Sequence, residues 1–110
     1  MSVFHDVTEL PERELAKGFH ARMVHGEGMT VAHWRVEAGA ELPMHAHPHE
    51  MIVNLLEGEL EITVGQEKRV LHAGGIAVIP GNVPHGVTAR TACRILDVWH
   101  PVREDYKAKG

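Results

Sequence analysis

From Met29 onward the chain alternates apolar and polar residues with the two-residue period of a β-strand. In Thr30–Val36, Ala32, Trp34 and Val36 fall on one face, and His33, Arg35 and the following Glu37 on the other. Gly39 ends that strand. Met51–Leu56 is apolar at nearly every position, the pattern of a strand covered on both faces. Leu60, Ile62 and Val64 alternate with Glu59, Glu61 and Thr63; Gly65-Gln66 supplies a turn and Lys68–Leu71 returns, which predicts a hairpin. A short buried strand is expected at Ile76–Ile79, between Gly74-Gly75 and Pro80-Gly81-Asn82, and a last one at Arg94–Trp99, stopped by Pro101. Residues 1–28 lack such a pattern. They read as an N-terminal arm with a short helical turn around Pro11–Leu15 and glycine breaks at 18, 26 and 28. Many short strands punctuated by Gly and Pro predict an all-β sandwich or barrel. At 110 residues it fits one domain: arm 1–28, barrel 29–100, tail 101–110.

The strand at 51–56 has a consequence for assembly. If Met51, Val53 and Leu55 face the interior, Ile52, Asn54 and Leu56 face outward. Exposed Ile52 and Leu56 beside a sheet edge form an adhesive patch. A homodimer would bury both, with the N-terminal segment packing across the partner; a helix or the chain's own arm could also cover them.

Charge narrows the partners. The net charge of −4 with neutral histidines offers no basic surface for phosphate backbones, so no nucleic-acid partner is expected. No run of about 18 apolar residues suggests a membrane span. The first residues lack the basic-then-apolar order of a secretory signal. The single Cys93 cannot form an internal disulfide and reads as a small buried residue. The expected location is the cytoplasm.

The candidate chemistry lies in the histidines. His45 and His47, two apart, would point to one face of a strand; His85 follows the turn-rich Pro80-Gly-Asn-Val-Pro84 segment. With ten histidines in the chain, one His-x-His pair says little alone. The pair, the third histidine and the spaced glycines together point to a transition-metal site with open positions, because imidazole is the commonest ligand for such ions. His49 and Glu50 lie beside the pair and read as loop residues. In the tail, Asp97 and Trp99 share a strand face, and Arg103 lies where it could fold back over the barrel mouth. A carboxyl near a metal suits acid/base work, an indole suits stacking on a ligand ring, and a guanidinium suits a ligand carboxylate.

The run Gly39, His45, His47, position 51, Gly58 resembles the first cupin motif, and Gly74, Pro80, His85 the second. The resemblance implies a single-domain cupin: a double-stranded β-helix, or jelly-roll, barrel. At position 51 the cupins usually carry Glu, Gln or His as a fourth ligand, whereas this chain has Met51. They often carry Asn four residues after the last histidine, whereas this chain has Ala89. The whole chain, with its tail Asp97-x-Trp99-x-Pro101-x-Arg103-Glu-Asp-Tyr106, is similar to the small KdgF-type pectin-degradation cupins.

That likeness implies a usually dimeric enzyme converting cyclic unsaturated uronates into linear keto-deoxy uronates. It places His45, His47, Met51 and His85 at the ligand positions for one divalent transition ion (Mn, Fe, Ni, Zn or Cu). It gives Asp97, Trp99 and Arg103 the acid/base, aromatic and carboxylate-binding roles. The KdgF-type cupins have Gln where Met51 stands. Met51 then reads as core filling, or as a soft thioether ligand suited to Cu(I). Two other classes stay open: a three-histidine Fe(II) dioxygenase acting on diketones or enols, and a non-enzymatic metal-dependent sensor or binding module.

Overall fold

A computed structural model describes residues 2–107. Ten strands form two antiparallel sheets: β1 (Arg13–Ala16), β2 (Phe19–His25), β3 (Thr30–Val36), β4 (Glu41–His45), β5 (Glu50–Glu57), β6 (Leu60–Val64), β7 (Glu67–Leu71), β8 (Ile76–Ile79), β9 (His85–Ala89) and β10 (Cys93–His100). The larger sheet runs β1-β2-β3-β10-β5-β8, and the smaller runs β4-β9-β6-β7. The core lies between them, where Val36, Val53, Leu55 and Ile95 of one sheet meet Leu60, Ile62 and Ala89 of the other. Each inner residue leaves water through the alternation legible in the sequence. Two facing layers of such residues supply the apolar burial that a domain this small depends on.

β3, the β6–β7 hairpin, β8 and β10 follow the expected boundaries closely. The expectation of a fully buried β8 fails on one face, since Ile76 and Val78 are 60% and 59% exposed. On β5, Met51, Val53 and Leu55 are buried while Ile52 and Leu56 are 39% and 52% exposed. No helix lies over them among the described residues. The N-terminal segment does not reach them either: its strands add to β3, with β10 between β3 and β5.

The helical turn expected around Pro11–Leu15 is a strand instead. β1 pairs with β2, and the Glu14 carboxylate accepts from the Gly18 backbone N–H at 3.0 Å in the connecting turn. Five residues are too few to offset helix nucleation, whereas sheet pairing satisfies the same backbone groups at once. A 3₁₀ turn does form earlier, at Val7–Glu9, with the Asp6 carboxylate accepting from the Thr8 N–H.

Two glycines permit close backbone approaches. At Gly58, with φ at +98°, a Cβ would stand 2.3 Å from the Ala92 carbonyl oxygen, so only glycine lets β5 turn into β6 beside β10. At Gly81 a Cβ would stand 2.4 Å from the Pro48 carbonyl oxygen. The Pro80-Gly81-Asn82 turn therefore packs directly on the His47–Pro48 backbone, and the Asn82 N–H donates to the His47 carbonyl at 2.7 Å. That contact brings His47 to the start of β9.

Candidate metal centre and cavity

His45 is the last residue of β4 and His85 the first of β9, and the two are directly paired across the smaller sheet after a register shift. His47 lies beyond the end of β4, in the connection to β5. The expectation that His45 and His47 both lie in a strand is corrected, since the strand ends at His45 and the Gly81 turn holds His47 beyond it, yet the two rings converge on one cluster as expected. The result is a tight triad, with ring centroids 4.3 Å apart for His45–His85, 4.8 Å for His47–His85 and 5.9 Å for His45–His47. One ring nitrogen from each lies within 4.8 Å of the others.

The backbone prepares all three rings in the same way. Nδ1 of His45, His47 and His85 meets the carbonyl oxygens of Pro43, His49 and Val83 at 2.9, 3.0 and 2.9 Å. A carbonyl only accepts, so each Nδ1 carries the proton and donates it, leaving each Nε2 with a free lone pair. His85 Nε2 is buried without a hydrogen-bond partner. Burial, aided by the positive Arg103 and the neighbouring His85, holds His47 down to about 4. Burial likewise lowers His85. Three imidazoles with converging ring nitrogens fit a divalent transition ion. His49 and Glu50 lie outside this cluster.

The triad opens on a cavity of about 100 Å³ between the sheets, also lined by Met51, Asp97, Trp99 and Arg103. The proposed ligand, acid/base, aromatic and carboxylate-binding positions therefore share one chamber. On β10 the inward alternation places Asp97 opposite Val53 and Trp99 opposite Met51. Asp97 is buried, and Oδ1 has no hydrogen-bond partner. Burial raises this carboxyl to about 7, offset in part by the nearby Trp34 indole N–H and the Arg103 charge. Trp34 Nε1 and Trp99 Nε1 are also buried without partners, so the indole leans toward Asp97 without closing a hydrogen bond.

After a cis His100–Pro101 peptide the tail folds back over the cavity mouth. The Arg103 N–H donates to the buried Thr30 Oγ1 at 2.9 Å, and Arg13 donates to the Tyr106 carbonyl at 2.6 Å. Arg103 is itself buried, its guanidinium carbon 5.0 Å from the Trp99 ring centre and 3.9 Å from that of Tyr106. Sequence reasoning gave no site role to Trp34, Tyr106 or Leu15, which also line the cavity. Trp34 was legible as an inward residue of β3; nothing in the pattern of residues 1–28 pointed to Leu15.

Known proteins share this fold. An RmlC-like cupin from Shewanella frigidimarina superimposes with a TM-score of 0.91 at 26% identity, covering 97% of each chain. KdgF from Halomonas sp. gives 0.89 at 24% identity, covering 97% of this chain and all of that one. An oxalate decarboxylase variant from Bacillus subtilis gives 0.78 at 21% identity, over 88% of this chain but 29% of its own. No curated protein sequence matches the chain. The family model described as Cupin domain matches residues 32–99, from β3 through β10. With that match over most of its length, the jelly-roll sheets and the histidine triad, this chain belongs to the cupin family.

Proposed function

We propose that this cupin opens and ketonises a small cyclic unsaturated uronate with the help of one divalent transition ion held by His45, His47 and His85. The observation that carries the proposal is the convergence of Asp97, Trp99 and Arg103 on the cavity of the histidine triad. A bound ion would supply Lewis acidity toward ring or hydroxyl oxygens of the substrate. Arg103 holds the carboxylate, and Trp99 packs against the ring. As the ring C–O bond breaks, the anomeric hydroxyl loses its proton and becomes an aldehyde, while the freed ring oxygen becomes an enol. The enol then loses its O–H proton and gains one on the neighbouring carbon. Asp97, near its midpoint at neutral pH, can give a proton and take one back. Atoms and electrons balance as an isomerisation, so no oxidant is required. Turnover of unsaturated galacturonate by the metal-loaded protein tests the reading.

Met51 is buried and faces the cavity. As core filling it replaces an amide with a softer, weaker donor. Met51→Gln is then expected to tighten manganese, nickel and zinc binding, because an amide oxygen is the harder ligand, and to keep or raise turnover. Paired titrations of both proteins with copper and manganese decide this: lost copper affinity with no gain for manganese would make the thioether a working ligand.

The second proposal is a homodimer through the outer face of β5 and β8. Ile52 pairs directly with Val78, and Ile76 and Leu56 extend the same exposed apolar patch at the sheet edge. Light scattering at low micromolar concentration is expected to give twice the chain mass. A monomer mass would rule it out.

A further inference from the structure

Arg103 has a partner outside the cavity it serves. Nε donates to Asp105 Oδ1 at 3.0 Å and Nη2 to Oδ2 at 2.8 Å, a two-point clamp on one edge of the guanidinium. Asp105 does not line the cavity, whereas Arg103 does. From these positions we infer that Asp105 is a positioning residue: it grips Arg103 from behind and turns the Nη1 corner toward a ligand carboxylate. The inference rests on the reading of Arg103 as a carboxylate-binding residue.

Charge, geometry and backbone support all favour this role. A buried guanidinium without a counter-charge is costly, and Asp105, whose side chain is half exposed, supplies that charge while remaining partly solvated. The clamp is planar, so it fixes the plane of the guanidinium as well as its place, and the Trp99 and Tyr106 rings confine it further. The backbone beneath is held by the bonds from Arg103 to Thr30 and from Arg13 to Tyr106, so Asp105 works from a fixed turn. The opposite role would make Asp105 an internal occupant that a ligand carboxylate must displace. The two roles predict opposite signs.

Both tryptophans line the cavity, so intrinsic fluorescence reports binding there. The probes are D-galacturonate and its uncharged methyl ester, titrated into metal-loaded wild type, Asp105→Asn, Asp105→Glu, Arg103→Lys and the Asp105→Asn/Arg103→Lys double variant. Wild type is expected to prefer the acid. Asp105→Asn is expected to weaken the acid about tenfold and leave the ester and metal content unchanged, with a lowered melting temperature because the buried guanidinium loses its counter-charge. In the Arg103→Lys background it should add little, since the group it positions is gone. If Asp105→Asn fails to fold, Asp105→Glu decides between the two roles: the charge stays but the longer arm shifts the clamp, so acid affinity falls severalfold and ester affinity holds.

Unchanged or tighter acid binding, an equal loss for acid and ester, or no acid preference in wild type each overturns the inference. Because binding is measured rather than turnover, an inactive protein that still shows the acid-specific loss would retire the uronate reaction and leave Asp105 its role.

Discussion

Replacing His47 by alanine is expected to cost the protein its bound metal. His47 is one of three converging ring nitrogens, and its Nδ1 donates to the His49 carbonyl, which fixes Nε2 as a ready ligand. Its loss leaves a two-point site of His45 and His85. Loss of a residue that merely orients a ligand costs about 10–100-fold in affinity, so loss of the ligand itself should cost at least about 100-fold. The fold should survive, because His47 lies outside the strands and is absent from the apolar core. Elemental analysis after dialysis is expected to show close to one ion per wild-type chain and little in the variant. Unchanged stoichiometry would place the ion elsewhere.

The second large effect is expected from Asp97→Asn. Removing a general acid/base group costs about 10²–10⁴-fold in rate, and turnover should fall by that factor with metal content unchanged. The same variant should alter stability with a definite sign. Burial raises the folded-state value of Asp97 from 3.8 to about 7, so the folded protein holds this proton more tightly than the unfolded chain does. The resulting stability is fully present below about pH 4 and is lost as pH rises to about 7, for a total of about 4 kcal/mol. His47 and His85, lowered in the folded state, contribute the opposite slope at acidic pH, but they do so in both proteins and cancel in the difference. In urea titrations of the metal-free proteins, the advantage of Asp97→Asn should grow from near zero at pH 4 to about 4 kcal/mol above pH 7. A gap independent of pH would mean that the carboxylate is compensated.

How much was legible depended on how local the signal was. The inward alternation of Ala32, Trp34 and Val36, and of Met51, Val53 and Leu55, follows from strand geometry alone and could be read directly. The glycine and histidine spacing disclosed the cupin fold and the residues that form the triad. It did not disclose that the strand ends before His47, because the backbone there is held by Gly81 and Asn82 far along the chain. β1 was illegible for a similar reason: Arg13–Ala16 does not alternate, and it is fixed by pairing onto β2 and by the tail that Arg13 holds. β2, by contrast, carries a short alternation of Phe19, Ala21 and Met23 with His20 and Arg22 and is fixed by pairing onto β3. The fold-back of Arg103 could be anticipated from its place after Pro101. Its clamp by Asp105 and its place beside Tyr106 required three-dimensional contacts.

If the triad and the β10 side chains act together on an unsaturated uronate, the substrate's own chromophore reports it. Lyase-released unsaturated galacturonate monomers are mixed with metal-loaded protein, and their ultraviolet absorbance is followed with dissolved oxygen recorded in the same cell. The absorbance should decay well above the spontaneous rate, be held back by prior chelation and recover with a divalent ion, giving a linear keto-deoxy uronate with no oxygen consumed. Decay at the spontaneous rate, or oxygen uptake accompanying turnover, would refute the uronate reaction.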